Sequence, residues 1–127
     1  MTRTTLILAA TAALLLSPAA HAAQTALQIE LNADRDFERH VITYDCAAET
    51  PLSVTYINAA PNFLALVPVV DEPEDLLFAS VISDAGVRYV SGKWAWTTRG
   101  VDATLHDTTL GEDAESVLTC SEVNDAP

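Results

Sequence analysis

The sequence predicts an all-β domain, an antiparallel sandwich or barrel. Three observations carry that prediction. Short runs rich in Val, Thr, Ile and aromatic residues follow one another from His40 onward, turn-forming residues separate them at regular intervals, and nothing beyond the alanine-rich N terminus has the spacing of a long amphipathic helix.

In chain order, Leu27, Ile29 and Leu31 alternate with Gln28, Glu30 and Asn32, the period-two pattern of a half-buried strand. Residues 32–39 are charged and mostly polar, so 23–39 read as an N-terminal extension ahead of a main domain at 40–127. Within that domain the eight expected strands are 41–46, 52–58, 63–70, 76–83, 87–90, 93–98, 101–106 and 116–120. Pro51, Pro61, the acidic stretch 71–75 around Pro73, residues 84–86, Ser91-Gly92, Arg99-Gly100 and residues 111–115 supply the turn chemistry between them. These runs are short for a membrane-spanning barrel, whose strands need about 9–11 residues. An immunoglobulin sandwich would place its tryptophan soon after the first cysteine, whereas Trp94 and Trp96 fall late between Cys46 and Cys120.

Ahead of the domain, Arg3 and the uncharged apolar run 6–16, ending in Ala20-His21-Ala22, have the layout of an export signal occupying residues 1–22. The run is shorter than the roughly 20 apolar residues that span a bilayer. No cysteine lies near the cleavage point to accept a lipid anchor. A soluble periplasmic protein is therefore expected, with no stable membrane anchor. The remaining chain suits one domain with one modest core.

The formal charge is −12, and Arg3 is the only charge within 1–22, so the processed chain carries −13. Such a field repels phosphate backbones and anionic lipids and attracts basic proteins. Nucleic acid is excluded as a partner on this ground, while plain solubility explains the same charge. Cys46 and Cys120 are the only cysteines and lie 74 residues apart. In an exported chain an even count favours a disulfide. A metal or redox pair would call for a CxxC spacing or clustered histidines, and neither is present.

Catalysis finds little support. His40 and His106 are the imidazoles left after signal removal, and neither sits in a metal-ligand spacing. The acidic run 71–75 surrounds a proline and reads as a solvated loop. No catalytic residue, metal or cofactor is assigned. Residues 83–103, SDAGVRYVSGKWAWTTRGVDA, are the informative region. Trp94 and Trp96 share one strand face and read as core. Arg88, Lys93 and Arg99 are three of the five basic residues of the processed chain. Each offers a cation either to a partner's carboxylate or to an internal ion pair.

Several fragments resemble the MliC/PliC family of membrane-bound or periplasmic inhibitors of c-type lysozyme. They are Tyr44-Asp45-Cys46, Pro51-Leu52-Ser53-Val54, Gly86-Val87-Arg88-Tyr89 with Gly92, the span 96–100 with Ala103, and Cys120. The resemblance implies an eight-stranded antiparallel barrel closed by a disulfide between its terminal strands, here Cys46 to Cys120. It implies that loops 83–88 and 97–101 enter the cleft of a c-type lysozyme, commonly a basic protein, and engage the two catalytic carboxylates. Carried onto this chain, the contact residues are Ser83, Asp84, Ala85, Gly86, Arg88, Tyr89, Arg99 and Gly100. Two positions depart from the family pattern, with Ala85 in place of a serine and Arg99 in place of a lysine. The alternative is a periplasmic binding module that keeps the barrel and serves another envelope protein or glycan. A monomer or weak homodimer is expected.

Overall fold

The computed structural model of the chain describes residues 26–31 and 36–123. Eight antiparallel strands close into an up-and-down barrel in chain order: β1 (Glu38–Asp45), β2 (Leu52–Ala59), β3 (Asn62–Val67), β4 (Leu76–Val81), β5 (Val87–Ser91), β6 (Trp94–Arg99), β7 (Asp102–Asp107) and β8 (Leu118–Glu122). One short 3₁₀ turn, Thr108–Leu110, follows β7, with the Asp107 carboxylate accepting from the Thr109 amide at its start. Closure satisfies the sheet edges that a small open sheet would leave for aggregation.

All eight runs expected from the sequence are strands, with shifted ends. The third stops at Val67 because Pro68 has no N–H for the ladder. The fourth stops at Val81, which leaves Ser83 in the following loop. The last runs Leu118–Glu122 because its register is set by β7, where Ala103 pairs with Cys120. The period-two segment at 27–31 is a correction. It forms no strand, and Leu27, Ile29 and Leu31 face solvent, because no neighbouring strand receives their apolar side. The expected signal segment, the start of the extension and residues 32–35 lie outside the described residues.

Inward positions alternate along each strand and fill the barrel with Tyr44, Val54, Tyr56, Ala65, Val67, Phe78, Tyr89, Trp96, Ala103 and Leu105. Trp96 is wholly buried and meets Tyr44 edge-on, ring centroids 5.3 Å apart. Its indole Nε1 donates to the Tyr56 hydroxyl at 2.8 Å, and that hydroxyl pairs with the Tyr44 hydroxyl at 2.7 Å. Burial pushes the Tyr44, Tyr56 and Tyr89 phenols above the usual tyrosine range, so all three stay neutral and able to donate. The Cys46–Cys120 disulfide joins the end of β1 to β8 across 74 residues. In the chain-entropy model a loop of that length contributes roughly 4 kcal/mol. A small core gains much from it.

Strand direction alternates, so the connections after β2, β4 and β6 share one end of the barrel with the start of β1. Those after β1, β3, β5 and β7 lie at the other end. The two ends carry different chemistry.

Candidate protein-binding end of the barrel

The β4–β5 loop (82–86) and the β6–β7 turn at Gly100 and Val101 come together at the first of these ends. Gly86 locks them to each other. Its backbone is left-handed at φ 68°, and an added Cβ would fall 2.1 Å from the Thr98 carbonyl oxygen and 3.3 Å from the Arg99 Cβ. Only glycine permits both the conformation and the approach. The loop therefore rests on the backbone that carries Arg99. The Ser83 hydroxyl donates to the Ala85 carbonyl at 2.9 Å, which closes the loop upon itself and leaves Asp84 and Ala85 at the exposed tip. Gly100, at φ 60°, makes the tight turn that ends β6 and leaves Arg99 exposed at its edge.

The three cations of this region have different fates. Lys93 lies at the opposite end, where its Nζ sits 2.9 Å from Asp107 and 4.6 Å from the Trp94 ring centroid. The Thr109 hydroxyl and Lys93 together hold the Asp107 carboxyl down at about 2. Arg88, the second residue of β5, points outward from the wall, between Val81 and Thr97 in register, and borders an outer surface with Thr97, Thr104 and His106. Arg99 forms no salt bridge among the described residues. Of the two roles open to a cation here, Lys93 takes the internal pair and Arg99 keeps its guanidinium in solvent.

The structure thus brings Ser83, Asp84, Ala85, Gly86, Arg99 and Gly100 into one surface, places Arg88 on the wall, and turns Tyr89 inward. Tyr89 belongs to the core, 6% exposed with its ring 5.7 Å from that of Tyr56, because β5 alternates and Arg88 takes the outward position. Trp94 and Trp96 are core or packed on it. Among the described residues, no group of three or more His, Cys, Asp or Glu side chains converges as a metal site would require.

Sequence reasoning missed the apolar rim of this end. Ile82 is 99% exposed, and Val87 and Val101, each a little under half exposed, flank the same loops. An isoleucine just ahead of a turn was the available signal, and contiguous exposed apolar residues mark interaction surfaces. Beside the rim the barrel mouth holds a cavity of about 530 Å³, lined on its inner side by Tyr44, Tyr56, Tyr89, Thr98 and Glu122.

Fold and surface together define a small disulfide-tied barrel with exposed apolar residues and an unpaired guanidinium at one end. Comparison with known proteins makes this specific. A family model described as membrane-bound lysozyme-inhibitor of c-type lysozyme matches residues 44–113, and the chain belongs to that family. A membrane-bound lysozyme inhibitor of C-type lysozyme from Pseudomonas aeruginosa PAO1 is 33% identical over 94 residues, 74% of this chain and 73% of the relative. One of the same description from Cupriavidus necator H16 is 34% identical over 77 residues, 61% of this chain and 60% of the relative. The barrel also matches the crystal structure of Pseudomonas aeruginosa MliC in complex with hen egg white lysozyme. That match has a TM-score of 0.64 at 31% identity and covers 79% of this chain and 98% of that one.

Proposed function

We propose that this chain inhibits c-type lysozyme in the cell envelope by seating the 82–86 loop and the β6–β7 turn in the enzyme's cleft. The observation that carries the proposal is the junction at Gly86. It fixes the loop against Thr98 and leaves the neighbouring Arg99 without an acidic partner among the described residues. Membership of the family and the likeness to a relative solved with hen egg white lysozyme support the choice of partner.

The chemistry is occupancy rather than turnover. A retaining glycosidase works with two carboxyl groups only about 5–5.5 Å apart, one of them holding a proton at working pH. A guanidinium between them holds both in the ionised state and denies the substrate its acid. Arg99 presents a planar fork that grips a carboxylate through two parallel N–H donors, where the family's lysine offers a compact point charge. Ile82, Val87 and Val101 surround that contact with apolar surface, excluding water from it. The −13 charge of the processed chain speeds encounter with a basic enzyme.

Ala85 contributes no hydroxyl at the loop tip, and the Ser83 hydroxyl is spent on the Ala85 carbonyl. A missing hydrogen bond to a charged group lowers affinity by about 1.5–3 kcal/mol, roughly ten- to a hundred-fold. Titrating the processed protein into a cell-wall turbidity assay with a purified c-type lysozyme tests the proposal. Slowed clearing at micromolar protein is the expected result, and undiminished lysis at that concentration contradicts it.

A further inference from the structure

We propose that an outer groove, between the β5–β7 wall and the β7–β8 connection, binds a zwitterionic peptide of two or three residues, its carboxylate at Arg88 and its ammonium at Glu112. The inference does not rest on lysozyme binding. The groove exists because one connection is long. The turns after β5 and β6 take two residues each, whereas residues 108–117 join β7 to β8. That chain makes the 3₁₀ turn, bends at Gly111 with φ 97°, and returns where the Val117 amide donates to the Leu105 carbonyl at 2.7 Å. It stands as a bank beside the wall and bounds a groove of about 510 Å³, a volume ordinary for small-ligand sites.

Register builds the floor. Arg88 pairs with Thr97 and Thr97 with Thr104, so the three form one outward row across β5, β6 and β7. His106 follows Thr104 on the same face of β7, two residues along. The threonine hydroxyls and the imidazole supply both donors and acceptors along this floor.

The two sides of the groove carry opposite charge. Arg88, half-buried on β5, forms no salt bridge among the described residues. Asp107 and Glu112 border the groove on the side of the long connection. Lys93 and Thr109 already hold Asp107, whereas Glu112 forms no salt bridge among the described residues. Arg88 and Thr104 lie two strand spacings apart, about 10 Å. An extended chain covers about 3.3–3.6 Å per residue, so two or three residues reach from the guanidinium to the acidic bank.

This layout selects against ligands of a single charge. A simple anion answers Arg88 but meets the carboxylates opposite, in the field of a chain carrying −13. A neutral saccharide leaves both charged groups without a partner. A zwitterion satisfies both, with the planar fork of Arg88 taking the carboxylate through two N–H donors.

Titration of trialanine into the processed protein, followed by amide NMR, tests the proposal. The Thr97, Thr104 and His106 amides should shift and approach saturation at about 1 mM peptide. Arg88→Ala and Glu112→Gln should each weaken binding by about ten-fold, and trialanine blocked at both termini should give no saturable shift. An unmoved Trp96 indole resonance confirms that each variant keeps its core. No saturable shift with trialanine overturns the proposal, as does equal affinity for the blocked peptide or full affinity in either variant. Saturation by chitotriose but not by trialanine overturns it in favour of a saccharide site.

Discussion

Replacing Gly86 by alanine separates two costs that usually arrive together. Gly86 and Gly92 share a left-handed backbone, at φ 68° and 54°, but only Gly86 is packed against anything. At Gly92 an added Cβ meets nothing within 4 Å, so Gly92→Ala carries the conformational cost alone, about 1–2 kcal/mol. At Gly86 the Cβ would stand 2.1 Å from a backbone carbonyl in the ladder of β6, an atom that cannot swing aside. Reaching an ordinary contact needs a displacement of about 1 Å, and forced overpacking adds about 1–3 kcal/mol. Gly86→Ala should therefore lose about 2–5 kcal/mol in urea unfolding, with the loop lifted off Arg99. Lysozyme inhibition should fall by at least about ten-fold in Gly86→Ala and stay unchanged in Gly92→Ala, whose turn lies at the opposite end of the barrel. Equal unfolding midpoints for the two variants, or undiminished inhibition by Gly86→Ala, would refute the claim that this contact builds the surface.

Arg99→Ala should weaken inhibition by about 2–4 kcal/mol, while Lys93→Ala, at the far end and already paired with Asp107, should leave it within two-fold; matching losses in a titration of both variants would place the contact elsewhere. Ala85→Ser should tighten binding by about ten-fold, read as a lower inhibition constant, and no gain would mean that the loop tip lies off the enzyme's carboxylates. Tyr56→Phe removes the acceptor of the Trp96 indole and the partner of Tyr44 at once, so about 2–4 kcal/mol of stability should go, measured by denaturant unfolding. Asp107 should titrate by NMR near 2 in the parent and return toward the usual range of about 4 in Thr109→Val, and less fully in Lys93→Ala. Because its folded value is the lower one, its contribution to stability is complete above about pH 4 and disappears as pH falls toward 2.

Strand and turn positions were legible because both are local. Alternation of Thr, Val and aromatic residues names a strand, and Gly86, Gly92 and Gly100 name the turns that need a left-handed residue. The disulfide was legible from an even cysteine count, read together with the expectation of export. Resemblance, rather than periodicity, chose the barrel over the sandwich, since closure depends on β1 meeting β8 across the whole domain. The strand expected at 27–31 shows the limit of local pattern. Its alternation is sound, but a strand exists only where an edge receives it.

Of the site, the sequence alone determined the composition: a cluster of cations in an acidic chain, two glycine turns, and an alanine at position 85, where the family resemblance implies a serine. Tertiary structure decided which members of that cluster are available. Lys93 meets Asp107 only because β6 and β7 align Trp94 with Asp107, Tyr89 turns inward only because of the register of β5, and Arg99 forms no salt bridge although Asp102 stands across the turn from it, where that carboxylate accepts from the Ser121 hydroxyl instead. Charge and conformational preference belong to single residues, whereas pairing and exposure belong to register, which hydrogen bonds between distant segments set.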